Sequence, residues 1–461
     1  MSVARDLAEV ALAVDFNKLP DDIARHSKHL LIDAFACIVG GFNSPTGRIC
    51  RGFAHEMQGP AQATILGENT RVPLRGAILA NQGMMRFLDY NDTVAISLVA
   101  GDVAGGHPSG SLPTAIAVSE LVGASGKAFL EALVAGYQVY GCMLEALTIS
   151  LEARGFHHGS LHPYVGAAIA GRLMGLNAEQ IANAMGIAGS LSVGLDILDA
   201  TGEEYVMTKN IADGVLSEMG LFACQLAAKG FTGPERIIEG IKGFGHTILG
   251  NSEGYLPKSL GDRWFISRVE IKNVPAESTT LGHLEATTTL VRNHDLSPDD
   301  IDKITIRTNK RAVVHTGDLV KKYPRNKESA DHSSYFLTAM AVLHGDITPG
   351  IYEESNFTDP RVRSLIDRVE LVHGPEFDAN LPAAEVRIRT RDGRELYQRI
   401  DPKDLKGDPS NPMSDEDLRK KFLLCAKGKL PESQVDKIID RCLEIEHADQ
   451  FSSVLPLLTV K

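Results

Sequence analysis

Cysteine is sparse in this chain and scattered. Its six cysteines, Cys37, Cys50, Cys142, Cys224, Cys425 and Cys442, form no CxxC pair and no other metal-ligand spacing. That excludes a cysteine-held iron–sulfur cluster and reads as buried free thiols in a reducing compartment. No run of about 18 apolar residues occurs, so no transmembrane helix is expected. The opening "MSVARDLAEVALAVDF" has acids inside its apolar stretch and no small-residue cleavage site, so no secretory signal is expected and the expected location is cytoplasmic. "GFGHTILG" and "GGF" lack the strand–GxGxxG–helix context of a dinucleotide fingerprint, and no HExxH zinc motif is present. There is no fixed-period repeat and no low-complexity tract. Excess positive charge is missing too. Lys and Arg number 47 against 59 Asp and Glu, a net charge of −12. Non-specific binding to nucleic acid or an acidic membrane is thereby excluded. An anionic small molecule would need a local group of Lys, Arg and His to overcome the global field.

What is present is an ordinary globular composition, 43% hydrophobic and 23% charged over 461 residues. The length suits two or three domains. Residues 1–260 read as helix after helix. "LPDDIARHSKHLLIDAFACIVGGF" spaces its apolar residues three and four apart and ends in Gly-Gly, a C-cap signal. "GLNAEQIANAMGIAGSLS" opens on Asn177 with Gln180 three residues on, a capping-box arrangement. "LVAGYQVYGCMLEALTISLEA" and "GVLSEMGLFACQLAAKGF" are apolar on most faces, as in the interior of a bundle. The text changes near residue 264. Ile304 and Ile306 alternate with polar residues as in a half-buried strand. "AAEVRIRTRDGRELYQRI" predicts a hairpin turning at Asp392-Gly393. Helical text lies between these strands and returns after residue 400. The expected fold is mainly α: a large all-helical domain over 1–264, rejoined by 401–461, and a smaller α+β lid domain over 265–400.

Three groups of residues could carry chemistry. In "NQGMMRFLDYNDT" a helix would put Asp89 and Thr93 four apart on one face, and "GGHPSGSLP" places His107 in turn text just beyond. An acid, a hydroxyl and an imidazole together make an acid–base set. In "RGFHHGSLHPYVGAAIAGRLMGL" His157, His158 and His162 crowd the start of a small-residue helix. His158 and His162 sit at i, i+4, but no carboxylate partner is evident, so acid–base or carboxylate-binding use is expected rather than a metal site. Lys209 in "YVMTKNIADG" precedes a very apolar helix, and Lys272 in "VEIKNVPAES" ends what reads as the first strand of the small domain. If both face a crevice between the domains, they offset the −12 locally.

The stretches "MMRFLDYNDT…GGHPSG", "GFHHGS…GAAIAGRLMGL", "TKNIADGVLSEMGLFACQLAAKGFTGPERIIEG", "IKNVPAE" and "KESADHSSYFLTAMAVLHGDI" occur in that order. Together they resemble the MmgE/PrpD family, whose members include 2-methylcitrate dehydratase, cis-aconitate decarboxylase and iminodisuccinate epimerase. The resemblance spans nearly the whole chain. It implies a homodimer, with a metal-free and cofactor-free acid–base site for a small di- or tricarboxylate between a helical and an α+β domain. The family's site positions carry over onto Asp89, Thr93, His107, His157, Lys209 and Lys272, with His158 competing with His157. Two departures stand out. The imidazole expected soon after the Pro of "PAE" is missing, His283 lying farther on, and the decarboxylase branch's tyrosine has only Tyr323 nearby.

The resemblance implies the following chemistry. Lys209 and Lys272 hold substrate carboxylates, with Thr93 and His158 assisting. His157 or Asp89 removes the proton next to a carboxylate, and His107 protonates the departing hydroxide. The expected activity is a 2-methylcitrate dehydratase-like hydro-lyase. The alternatives are decarboxylation of cis-aconitate and epimerisation of an amino- or imino-dicarboxylate, which share an enolate-like intermediate with the dehydration, and polycarboxylate binding without catalysis.

Overall fold

The computed structural model describes residues 2–98, 102–249 and 263–460. Helices dominate it. Helix Asp21–Gly41 covers the predicted span, with Asp21 and Asp22 at its positive end. The expected Gly-Gly cap is corrected: both glycines lie inside the helix. A Cβ on Gly41 would meet the Met84 carbonyl oxygen at 2.0 Å, so glycine is what lets helix Leu74–Phe87 approach. The Asn177–Gln180 capping box forms as expected. Helices His162–Leu173 and Ala212–Ala227 touch nearly backbone to backbone. A Cβ on Gly166 would sit 2.1 Å from the Ser217 carbonyl oxygen. This contact brings the histidine-rich entrance of the first helix beside the first turn of the second.

Not every part of the large unit is helical. Strands β1 (Ala63–Ile65) and β2 (Thr70–Val72) pair antiparallel, as do β3 (Val94–Ser97) and β4 (Val103–Gly106). Strands of three or four residues are too short for alternation to stand out. The β3–β4 hairpin lies just before His107, and residues 99–101 between its strands lie outside the described residues.

The smaller unit is a four-stranded sheet in the order β6-β5-β7-β8, built from β5 (Ile301–Thr308), β6 (Val369–His373), β7 (Ala384–Thr390) and β8 (Glu395–Ile400). β5 runs parallel to β6 and antiparallel to β7. The predicted hairpin is β7–β8, with Gly393 at φ 88 in its turn. Helices Leu281–Asn293 and Ser334–His344 cover the sheet's apolar side.

Two hydrophobic cores follow. One runs from Val3 to Ile271 and resumes from Met413 to Leu458. The other runs from Ala276 to Leu405. The break thus falls after Ile271, somewhat later than the change of text at 264, because Phe265, Ile266, Val269 and Ile271 pack into the larger core. The expected first strand of the small unit is corrected accordingly. Phe265–Arg268 is a 3-10 turn, and Glu270 forms a single antiparallel bridge with Thr93. Among the described residues no helix is long and apolar enough to cross a membrane.

Candidate active site

Asp89 is the electrostatic centre. Helix Leu74–Phe87 stops before it, so Asp89 and Thr93 do not share a helix face as expected. Asp89 instead takes a left-handed conformation at φ 49. That conformation is costly for a non-glycine residue and persists only when its surroundings hold it. Here they do. Its carboxylate accepts from Arg86 Nη1 at 2.8 Å, Lys272 Nζ at 2.7 Å and Lys209 Nζ at 3.0 Å. Lys272 also donates to the Asp89 and Ala276 carbonyls. Burial opposes ionisation of Asp89, but the charges of Lys209, Lys272 and Arg86 outweigh it and hold the carboxyl well below its usual range. Burial likewise opposes the Lys209 charge, yet Asp331 and Asp89 raise that lysine above its ordinary value.

His332 joins this cluster. Its Nδ1 lies 2.5 Å from Asp331 Oδ1 and 3.4 Å from Lys209 Nζ. Lys327 pairs with Asp331 on the far side at 2.5 Å and also donates to the Phe87 carbonyl. The charges therefore alternate in a buried chain from Arg86 to Lys327.

The histidines are held differently. His107 sits at the entrance of the 3-10 turn Pro108–Ser111, and its Nδ1 donates to the Asp92 carbonyl at 2.6 Å. That fixes the tautomer and leaves the Nε2 lone pair free. Burial, with Arg86 and Lys272 adding to it, pushes the His107 imidazole well below its ordinary value, so it is neutral at pH 7. His158 stands edge-on to it, ring centroids 5.3 Å apart. Burial, then the neighbouring His157 and His107, push His158 down as well. His157 lies behind His158, ring centroids 3.9 Å apart and planes tilted by 37°, its Nδ1 accepting from the Gly159 amide.

A cavity of about 250 Å³ lies between the two units and opens on these groups. That is at the small end of ligand sites, which suits a few-carbon acid better than a nucleotide. Asp89, Thr93, His107, His158 and Lys272 all lie on its wall. Thr93 is placed there by its backbone pairing with Glu270. Two residues expected at the site are not on the wall: Lys209 stands behind Asp89, and His157 behind His158. The small unit contributes His315, His332 and Arg311, the last bridging bidentately to Glu152 of the large unit at 2.6 and 2.7 Å. Glu270, also on the wall, is pushed up to about 7 by burial, with Asp408 adding to it.

Among the described residues, three groups of side chains bring metal-type ligand atoms within 4.8 Å of one another: His157, His158 and Asp199; Asp199, His315 and His332; Asp89, Asp331 and His332. In the third, Lys209 already supplies the positive charge to both carboxylates, at 3.0 and 3.8 Å.

Sequence reasoning missed Arg86, Asp199, Asp213, Arg311, His315 and His332. Arg86 and His332 lay in view within "MMRFLDYNDT" and "KESADHSSY". Nothing local separates them from surface charges; only their burial and distant partners do. His283 and Tyr323, weighed against the family pattern, are away from the cavity: His283 is inside the small core and Tyr323 is 39% exposed at the surface.

The arrangement is a polar crevice lined by imidazoles and charged groups, built between a helical unit and an α+β unit. Residues 5–254 match the MmgE/PrpD N-terminal domain and residues 274–445 the MmgE/PrpD C-terminal domain, so the chain belongs to the MmgE/PrpD family. It is 24% identical to the cis-aconitate decarboxylase-like protein oryM of Aspergillus oryzae, over 99% of this chain and 97% of that one. It is 26% identical to the cis-aconitate decarboxylase of Mus musculus, over 99% and 93%. It is also 26% identical to the 2-methylcitrate dehydratase of Escherichia coli K12, over 83% and 80%.

Proposed function

We propose that this protein is a lyase that acts on a small tricarboxylate by moving a proton next to a carboxylate, using side chains alone. The observation that carries the proposal is the pairing on one wall of two neutral imidazoles, His107 and His158, with the Lys272–Asp89 ion pair. Lys272, backed by Lys209, and Arg311 stabilise the negative charge that develops as the proton leaves. The base is an imidazole rather than Asp89, whose oxygens are engaged by three cations.

In a dehydration, Nε2 of His158 takes the proton from the carbon beside the carboxylate. The freed electron pair forms the double bond as the C–O bond breaks. The proton then returns from the imidazolium to the departing hydroxide as water, directly or by way of His107, and no outside proton is needed. The first reading is therefore a 2-methylcitrate dehydratase-like hydro-lyase. The second is decarboxylation of cis-aconitate, favoured by relatives of that name that align over 99% of this chain. That reaction breaks a C–C bond, releases carbon dioxide and takes up one proton from solution per turnover.

The test is incubation with 2-methylcitrate, citrate and cis-aconitate, following ultraviolet absorbance for a new conjugated double bond and gas release for decarboxylation. One of the acids is expected to turn over. Thermal stabilisation by an acid without turnover would mean a binding protein instead. Neither stabilisation nor turnover would sink the reading.

A homodimer belongs to the same proposal. Leu191, Val193, Leu195 and Ile197 leave an apolar run exposed by 64, 45, 59 and 60%. Such a patch calls for a cover. Light scattering on the eluting protein is expected to give twice the chain mass; a monomer at micromolar concentration would refute it.

A further inference from the structure

None of the roles above uses Asp213. It lies in the first turn of helix Ala212–Ala227, 1% exposed, and neither carboxylate oxygen has a hydrogen-bond partner. Its surroundings are all donors or bases. Arg86 Nε, from helix Leu74–Phe87, is 3.8 Å from Oδ2. His158 Nδ1 is 3.7 Å from Oδ1, His162 Nε2 3.8 Å and His157 Nδ1 4.0 Å. Lys209 and Asp199 act on it from farther off with opposite signs. Arg86 Nε, His158 Nδ1 and His162 Nε2 are themselves buried and unpartnered. Five orphaned polar atoms side by side are not a tolerable interior, so they belong to one another.

The chemistry of each neighbour decides who donates. Arg86 Nε is always protonated. His162 Nδ1 lies 2.8 Å from the Ser111 hydroxyl, which can donate to it and leave Nε2–H for Asp213. His157 Nδ1 accepts from the Gly159 amide and has no proton to give. That leaves Nδ1 of His158 as the third donor. With Nδ1 turned inward to Asp213, the ring edge that reaches the cavity carries Nε2. Gly110 keeps the space open, since a Cβ there would lie 2.4 Å from Asp213 Cβ and 2.7 Å from His162 Cε1.

We propose that Asp213 is a positioning residue: its carboxylate fixes Nδ1 of His158 as the protonated nitrogen and so aims the Nε2 lone pair at the substrate. His107 is oriented the same way by a neutral carbonyl. The two imidazoles therefore face one cavity with partners of different charge, and His158 is the stronger base. This rests on the reading of the cavity as a proton-moving site.

Two measurements test it. Ring-nitrogen NMR of the full-length wild-type protein, with the His158 signals identified by their loss in His158→Gln, is expected to show Nδ1 protonated and Nε2 bare. The opposite tautomer would overturn the proposal, whichever acid is turned over and even if none is. Asp213→Asn is expected to lower kcat on the order of 100-fold with little change in KM. It should also move the acid limb of the kcat/KM profile to lower pH, because the imidazole loses the charge that favours its protonation. A purely structural Asp213 would lower the melting temperature and leave both tautomer and limb in place, which would equally overturn it. Should Asp213→Asn fail to fold, the wild-type spectrum decides.

Discussion

Asp89→Asn is expected to cost about 3–5 kcal/mol of folding stability at pH 7 and at least about 100-fold in turnover. Asn has the same shape and also tolerates the left-handed backbone that residue 89 adopts at φ 49, so the loss is one of charge. Arg86, Lys209 and Lys272 would then face one another with side chains 1–2% exposed and no carboxylate between them. Removing one partner of a buried ion pair strands the other; here three cations lose their shared partner, and Lys209 and Arg86 keep only Asp331 and Asp213, each 3.8 Å away.

The pH dependence of the loss follows from linkage. In the wild type the raised Lys209 contributes stability that is fully present below the unfolded lysine value and is lost as pH rises through the folded one. In the variant Lys209 loses Asp89, one of the two carboxylates that raise it, while the burial that lowers it stays, so it gives up its proton more readily than in the unfolded chain. The unfolded state then binds more protons, and stability rises with pH. The gap between the two proteins should narrow between pH 7 and about 10. Urea unfolding at both ends of that range measures it. A gap under about 1 kcal/mol at pH 7 would show that Asp89 does not hold the cluster together.

His158→Gln is expected to lower turnover by about 10²–10⁴-fold while the protein stays folded, because it deletes the imidazole on the cavity wall. His157→Gln acts only through its neighbour, 3.9 Å away, and should cost on the order of tenfold. Steady-state kinetics on the two variants, with melting temperatures as a folding control, separates them. The reverse ranking would put the base at His157 and require the 3-10 turn His158–Leu161 to rearrange when substrate binds.

The helices were legible because burial imprints a period on the sequence. Asp21–Gly41 follows its apolar spacing, Ala178–Leu191 follows its Asn177–Gln180 capping box, and the β7–β8 hairpin follows Val386, Ile388 and the Asp392-Gly393 turn. Gly40-Gly41 misled, since a glycine that ends a helix and one that admits a neighbouring helix read alike. Asp89, Thr93, His107, His158 and Lys272 were identifiable as chemistry-bearing residues, and they share one wall. Arg86, Asp213 and His332 were not, although each stood inside a stretch singled out for other reasons.

Residue type and local spacing were enough to determine the helical character, the change of architecture toward the C-terminal half, and the set of acids, lysines and imidazoles from which a site could be assembled; the family came from the resemblance of whole stretches in their order. Tertiary structure alone decided how that set is wired. Asp89 meets Lys209 and Lys272 across 120 and 183 residues, and no local pattern specifies such partners. Whether His157 or His158 reaches the cavity turns on one residue of a 3-10 turn. The close packing of helix His162–Leu173 against helix Ala212–Ala227 sets that turn in place, with His158 on the cavity wall and His157 behind it, and no local pattern specifies such a contact.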